Sequence, residues 1–214
     1  MALTVLYEDN HVLVVVKPCN VPSQADSSGD MDMLTLCKAY IKEKYQKPGA
    51  VYLGLVHRLD RPTGGVMVFA RTSKAASRLS EQVRRHEIQK IYRLRTTSGP
   101  EAESGTLIDT LQKGRDGMVR VVPADAAGGK RAELSYRVLE RFADGGAQCE
   151  VNLLTGRSHQ IRVQFASRGW PLAGDARYGA GGRPLALWAY RLSFFHPTRN
   201  ERMTFTADVP TGLL

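Results

Sequence analysis

The stretch LVHRLDRPTGGVMVFART, Leu55 to Thr72, sets one carboxylate, Asp60, among His57, Arg58 and Arg61, just ahead of a glycine pair. A carboxylate at the mouth of an apolar segment suits two jobs. It can cap backbone amides in a turn, the ordinary work of Asp beside Gly and Pro, or it can react as a nucleophile or base. To react it must stay ionised, and burial alone would raise its pKa, so a cationic partner is required. A candidate lies far along the chain in LTGRSHQIRVQFASRG. On a helix starting near Ser158, Arg162 shares a stripe with Phe165 and Ala166 and points toward the core. A guanidinium so placed needs an acid, and Asp60 has the most motif-like setting. The plainer reading of Arg162 is a surface helix arginine lying along its aliphatic stem.

Other chemistries fit less well. HRLD departs from the HRD order of a kinase catalytic loop, and no Asp-Phe-Gly follows. AAGGKR lacks the first Gly and the final Ser or Thr of a phosphate loop, and YGAGGRP has no GxGxxG pattern, so nucleotide-driven phosphoryl transfer and dinucleotide redox chemistry drop out. A hydrolytic metal site needs converging His and carboxylates, and His57 with Asp60 stands without an HExxH or a second cluster. A carboxylate glycosidase needs two acids across a cleft, and Asp60 has no second carboxylate beside it in sequence.

The whole chain bounds these choices. Its 214 residues, 43% hydrophobic and 24% charged, have the balance of a globular protein with an ample core, in one large domain or two small lobes. The first ten residues lack the basic and apolar regions of a secretion signal, and Val12 to Val16 is only one strand long. Cys19, Cys37 and Cys149 are odd in number and widely spaced, which suggests neither a disulfide framework nor a zinc knuckle and fits a reducing cytosol. The net charge of +9 is uneven. Between His57 and Arg95 ten Lys or Arg face three acids, Asp60, Glu81 and Glu87, so most of the surplus surrounds the opening motif. That is either the footprint of a polyanion or a solvated helix face.

The elements that must position these residues follow from periodicity. LTVLYED and HVLVVVKP read as strands, with Lys17 projecting from a strand end into the polar loop after it. DMLTLCKAYIKEKY places Leu34, Cys37, Ile41 and Tyr45 at helical spacing, stopped by Pro48 and Gly49. VYLGLVH and GGVMVFA read as strands bracketing Asp60. Ser73 caps a helix running to about His86, with Ala76, Leu79 and Val83 inward and Arg78, Arg84 and Arg85 outward. Strands then dominate: IYRLRTT, GTLIDTL, MVRVVP, AELSYRVLERF and AQCEVNLL, followed by a helix over Ser158 to about Arg168 and by LALWAYRLSFFHP and ERMTFTADVP as closing strands. The expected fold is α+β, a mixed, largely antiparallel bent sheet with a few helices packed against it.

Four segments together resemble a pseudouridine synthase of the RluA type: VVVKPCNVPS, its Lys-Pro element; HRLDRPTGGVMVFART, its catalytic loop; QKIYRL, its Lys-x-Tyr strand; and TGRSHQIRVQFASRGWPLAGDARYG, its C-terminal signature. They occur in family order from Lys17 to Gly179. The resemblance implies the pseudouridine synthase fold with a central catalytic cleft. It makes Asp60 the catalytic aspartate, Arg162 its salt-bridge partner and Tyr92 the aromatic residue against the target uracil. Arg58 becomes the arginine that enters the RNA stack where the base has left. His57, Arg61, Lys17 and Lys90 are expected to support RNA binding, though His57, like His159, suits a hydrogen-bonding role in its loop. Trp170 and Trp188 read as packing residues, and the plainer reading of Tyr92 is a core aromatic.

The implied activity is isomerisation of specific uridines in structured RNA, ribosomal or transfer, by a cytoplasmic monomer without metal, nucleotide cofactor or membrane. A stacked uridine is out of reach, so it must flip into a pocket. Where the family often has Asp then Thr-Ser-Gly after the Arg-Leu-Asp-Arg segment, this chain has Pro62, Thr63, Gly64 and Gly65, which stiffens the loop and removes a hydroxyl. A single catalytic domain over 1–214, with no accessory RNA-binding domain, is expected. A noncatalytic RNA-binding module that keeps the fold is the alternative, although a pure binder has no use for an ionised acid facing phosphates.

Overall fold

The computed structural model describes residues 3–182 and 184–214. In chain order its elements are β1 (Thr4–Glu8), β2 (Val12–Lys17), α1 (Met33–Lys44), β3 (Gly54–Leu55), β4 (Gly64–Ala70), α2 (Ser73–Arg84), β5 (Gln89–Thr96), β6 (Ser104–Lys113), β7 (Val119–Val122), β8 (Lys130–Arg141), β9 (Ala147–Leu153), α3 (Gln160–Ala166), β10 (Leu187–Phe195) and β11 (Arg202–Thr206). The chain divides into two compact units, residues 1–89 with 189–208 and residues 90–188 with 209–214. The class is the α+β one expected, with a mostly antiparallel sheet: β1–β2, β2–β4, β10–β11, β5–β9, β6–β7, β6–β8 and β8–β9 all pair antiparallel.

In the first unit the strand order is β1-β2-β4-β10, with β3 on β4 and β11 on β10. Val12 to Val15 and Val66 to Ala70 are buried on both faces, which is why these segments read as unbroken apolar runs rather than alternating ones. Each large side chain so buried contributes roughly 1.5–3 kcal/mol. Lys17 lies opposite Gly65 in the β2–β4 register, so the end of the Lys-Pro strand meets the start of the strand that follows Asp60. Gly65 has φ +122°, and a Cβ there would lie 2.2 Å from the Ala189 carbonyl oxygen, so this position requires glycine.

Several sequence expectations shift in detail. VYLGLVH yields only the two-residue β3. Helix α2 is capped by Thr72, whose Oγ1 accepts from the Ala75 amide at 3.1 Å, and Ser73 is its first residue. Its buried residues are Ala75, Leu79 and Gln82, with Ala76 and Val83 half-buried, a rotation of the expected stripe by about one position. The cause is Gln82: its amide exchanges two 2.8 Å hydrogen bonds with the Phe195 backbone, which carries a polar residue inward. Helix α1 ends at Lys44, ahead of Pro48, with Gln46 at φ 48°. Leu34 is half-buried and Tyr45 exposed, whereas Met33, Cys37 and Ile41 form its inner face.

In the second unit the order is β5-β9-β8-β6-β7. Here the alternation is clean: Ala132, Leu134, Tyr136 and Val138 of β8 and Ala147, Cys149, Val151 and Leu153 of β9 are buried, and their neighbours are not. Helix α3 packs on β6 and β7, where Leu111, Val119, Ala132 and Val163 form a small core with Tyr178 against it. Trp188 is buried, and Trp170 makes edge contacts with Tyr136 and Phe165, so both tryptophans pack as expected.

Candidate active site

The expected site residues divide between the two units. Lys17, His57, Arg58, Asp60 and Arg61 belong to the first; Lys90, Tyr92 and Arg162 belong to the second.

In the first unit Asp60 is half-buried on the loop between β3 and β4. Its neighbours' backbones are tied down on both sides. The buried Ser23 hydroxyl donates to the Leu59 carbonyl at 2.8 Å and accepts from the Leu59 amide at 3.1 Å. The Asp60 carbonyl accepts from the Thr63 amide at 3.0 Å, closing the turn that Pro62 pre-shapes. On the far side the Lys17 ammonium donates to the Arg61 carbonyl at 3.0 Å. His57 Nε2 accepts from the Val68 amide at 3.0 Å, which pins the loop to β4 and leaves the ring's other nitrogen to carry the proton when it is neutral. That is the hydrogen-bonding role its setting suggested.

The basic residues of this unit are not alike. Arg58 is exposed. Arg61 is exposed too, but its guanidinium bonds the Ser28 hydroxyl at 2.9 Å and pairs with Asp30, with Asp26 at 3.7 Å. Exposed pairs of this kind contribute about 1 kcal/mol or less, so a phosphate can displace them. Lys17 projects from the end of β2 into the loop that follows, as the sequence suggested, but its ammonium is enclosed there rather than wet. It is fully buried, and besides Arg61 its Nζ donates to the carbonyls of Pro18 at 3.0 Å and Val21 at 2.5 Å. Burial pushes its ammonium down to about 8; Cys19 and Asp60 hold it up, and Arg61 pushes it lower. So housed, the Lys17 ammonium donates to three backbone carbonyls.

In the second unit Tyr92 is buried on β5 opposite Val151 of β9. Lys90, two residues earlier, shares its strand face. The Lys90 ammonium is lowered by burial and then by the nearby Arg157, and a Cβ on Gly156 would lie 3.4 Å from its Nζ. Lys90 is thus a desolvated cation beside a second cation, a setting that favours an anion.

Arg162 is buried on α3, as its apolar stripe implied. Its Nε and Nη2 donate to Asp175 Oδ2 and Oδ1 at 2.8 and 2.7 Å, a two-pronged pair, and the guanidinium lies 5.3 Å from the centre of the Tyr178 ring. Burial works against the Asp175 carboxylate, but the Arg162 hydrogen bond and charge and the amides of Arg177 and Tyr178 outweigh it and hold the acid below its usual range. The Tyr178 hydroxyl in turn accepts from the Val119 amide at 3.0 Å and meets His159 Nδ1 at 2.9 Å. His159 enters α3 at φ 51° without a side-chain cap, so α3 begins two residues later than Ser158. Asp175 and Tyr178 were missed as orienting residues, although both stand in the C-terminal signature, in GDARYG. The signal was there: a buried arginine needs an acid, and Asp175 is only 13 residues on.

The surplus charge near the motif is partly answered locally. Glu81 pairs with both Arg84 and Arg85 on the exposed end of α2, and Arg71 lies 4.6 Å from the Tyr45 ring centre.

A family model described as RNA pseudouridylate synthase matches residues 11–167. The chain is 38% identical to "Ribosomal large subunit pseudouridine synthase D" of Neisseria meningitidis serogroup A, over 100% of this chain and 60% of that protein. It is 34% identical to the protein of the same description from Pseudomonas aeruginosa, over 99% of this chain and 70% of that one. The chain thus spans less than two thirds of the Neisseria relative's length. In fold it is similar to human RNA Pseudouridylate Synthase Domain Containing 4, with a TM-score of 0.80, 23% identity and coverage of 98% of this chain and 90% of that one. The extent of these matches agrees with the four segments read from the sequence, and the chain belongs to the RNA pseudouridylate synthase family.

Proposed function

We propose that this chain converts specific uridines of structured RNA to pseudouridine, with Asp60 as the reacting carboxylate. The observation that carries the reading is the Asp60 segment itself: a half-buried acid in the matched family region, with Leu59 and Arg61 tied down on either side of it. A carboxylate that reacts must be aimed, and such fixing supplies the orientation. In the net reaction the bond from ribose C1′ to uracil N1 breaks, a bond from C1′ to C5 forms, the C5 proton leaves and N1 gains a proton. Atoms balance within the nucleotide, so no co-reactant is consumed.

On this reading Arg162, oriented by Asp175, is the cation that keeps Asp60 ionised, and Tyr92 offers its ring face to the flipped uracil. Arg58 fills the gap the base leaves in the stack. Arg61 exchanges its loop carboxylates for phosphate, and Lys90 with Arg157 meets another part of the backbone. The relatives' descriptions make large-subunit ribosomal RNA the first substrate to try, ahead of transfer RNA.

The test is pseudouridine mapping, by carbodiimide adduct and reverse-transcription stop, of total RNA from cells with an active gene, without it, and with Asp60→Asn. Stops that vanish with the gene and return only with the wild-type residue support the reading and name the substrate. No stop dependent on Asp60, in cells where the protein still binds RNA, would leave a binding module instead.

A further inference from the structure

The fully buried Lys17 is a cost the fold need not have carried. Its ammonium has left water, and the three bonds it donates go to neutral carbonyls of Pro18, Val21 and Arg61. Removing a charge from water without a paired counter-charge is expensive, and an apolar side chain of similar length would avoid the cost. What the charge brings is valence. An ammonium has three N–H donors and meets three carbonyls; a neutral amine has two and would turn a lone pair toward the third.

The third carbonyl is the one that matters. Arg61 directly follows Asp60, 44 residues from Lys17 in sequence, and Lys17 stands at the end of β2 opposite Gly65, where β4 begins. Ser23 holds the segment on its other side through Leu59. We infer that Lys17 is a positioning residue for the reaction: its ammonium ties the backbone of Arg61 to the Pro18–Val21 turn and so fixes the direction in which the Asp60 carboxylate points. This rests on the reading that Asp60 reacts, and it gives Lys17 a different part from the support of RNA binding expected of it.

A pH signature follows. The charged or titratable groups acting on Lys17 are Cys19 and Asp60, which favour its charge, and Arg61, which opposes it, while burial lowers its titration to about 8. Above that pH the amine loses its third bond and the Asp60 segment loosens. Folding stability moves the other way. The native lysine sheds its proton before the unfolded one, whose ordinary value is 10.5, so between about 8 and 10.5 the unfolded chain binds more protons and this group's contribution to stability rises with pH. A fall in turnover over that range is therefore not unfolding caused by Lys17.

The experiment uses the full chain and the RNA named by the mapping, under steady-state turnover with RNA in excess. Lys17→Met is expected to lower kcat by about 100-fold with KM and RNA affinity unchanged, the scale expected when a reacting group is displaced by about an ångström. Wild-type kcat is expected to fall as pH rises past about 8, and that inflection to be absent from Lys17→Met. Wild-type kcat in Lys17→Met, a change confined to KM, or the same inflection in the variant would each overturn the inference. Because Lys17→Met could fail to fold, amide exchange of the wild type is read in parallel at pH 7 and pH 9, as protection factors. Loss of protection confined to the Asp60 segment supports the tie, and unchanged protection overturns it. If Asp60→Asn keeps full turnover, the proposed reaction falls, and the exchange arm alone still decides whether Lys17 orders the segment.

Discussion

In the second unit the guanidinium of Arg162 is fixed through its own side-chain atoms, two-pronged on a buried carboxylate, with an aromatic ring beside it. In the first unit the segment carrying Asp60 is fixed through the backbones of Leu59, Asp60 and Arg61. The difference teaches how a fold can aim two opposite charges. A cation held by a buried acid gains geometry from the charge pair, and its partner is stabilising only while both remain. An acid that must react cannot have its position depend wholly on bonds to its own oxygens, because those are the atoms that react, so holding its neighbours' amides and carbonyls is the compatible solution.

The largest way to break the contrast is Asp175→Ala. It removes a two-pronged bond to a buried guanidinium and should cost about 3–5 kcal/mol, read as a shift in the denaturant midpoint of the chain. A shift indistinguishable from that of an exposed carboxylate variant would mean that the pair is not what holds Arg162. Gly65→Ala should cost on the order of 3 kcal/mol, since φ +122° disfavours any side chain and the new Cβ would strike the Ala189 carbonyl. Here the clash strains β4 at its first residues, so turnover should fall along with stability.

Acid titration sharpens the same comparison. The folded pKa of Asp175 lies below its ordinary 3.8, so its contribution is fully present above that value and is lost as pH falls below it toward the folded pKa. Asp175→Asn should therefore be less stable near neutrality and lose less stability on going below about pH 4, as measured by thermal melts across that range. Equal acid slopes in variant and wild type would contradict the assignment. Ser23→Ala removes one hydroxyl that both donates to and accepts from Leu59, and should cost about 1–3 kcal/mol because buried partners are left unmade. The smallest effect is expected for Glu81→Gln, which frees Arg84 and Arg85 on an exposed helix end: less than about 0.5 kcal/mol in stability, with RNA affinity raised at low salt and the gain lost at high salt.

The sequence was most readable where periodicity and burial coincide. GGVMVFA is β4 residue for residue, and AELSYRVLERF lies in β8 except for its last residue, Phe142, because apolar runs and alternation each have one compatible backbone. It was least readable where a distant partner overrides the local pattern. The inner face of α2 turned because Gln82 bonds the backbone of Phe195, 113 residues away, and no local signal marks that. VYLGLVH has the composition of a strand but pairs over only two residues, because its last part belongs to the loop that carries Asp60.

The candidate site follows the same rule. Burial of Arg162 was legible from its stripe with Phe165. Its partnership with Asp175 was legible only as a requirement for some acid, because local sequence does not say which carboxylate comes within reach of a buried guanidinium. For Lys17 the entry into the loop after β2 was legible, but its burial was not: only the convergence of three carbonyls, one of them 44 residues on, makes a buried ammonium tolerable.

The measurement that tests the central claim most directly is a single-turnover assay of the purified chain and its Asp60→Asn variant on large-subunit ribosomal RNA, with RNA binding and thermal melting measured on the same samples. The account predicts that the variant folds, binds RNA as the wild type does and forms no pseudouridine. Pseudouridine formed by Asp60→Asn at the wild-type rate would contradict it.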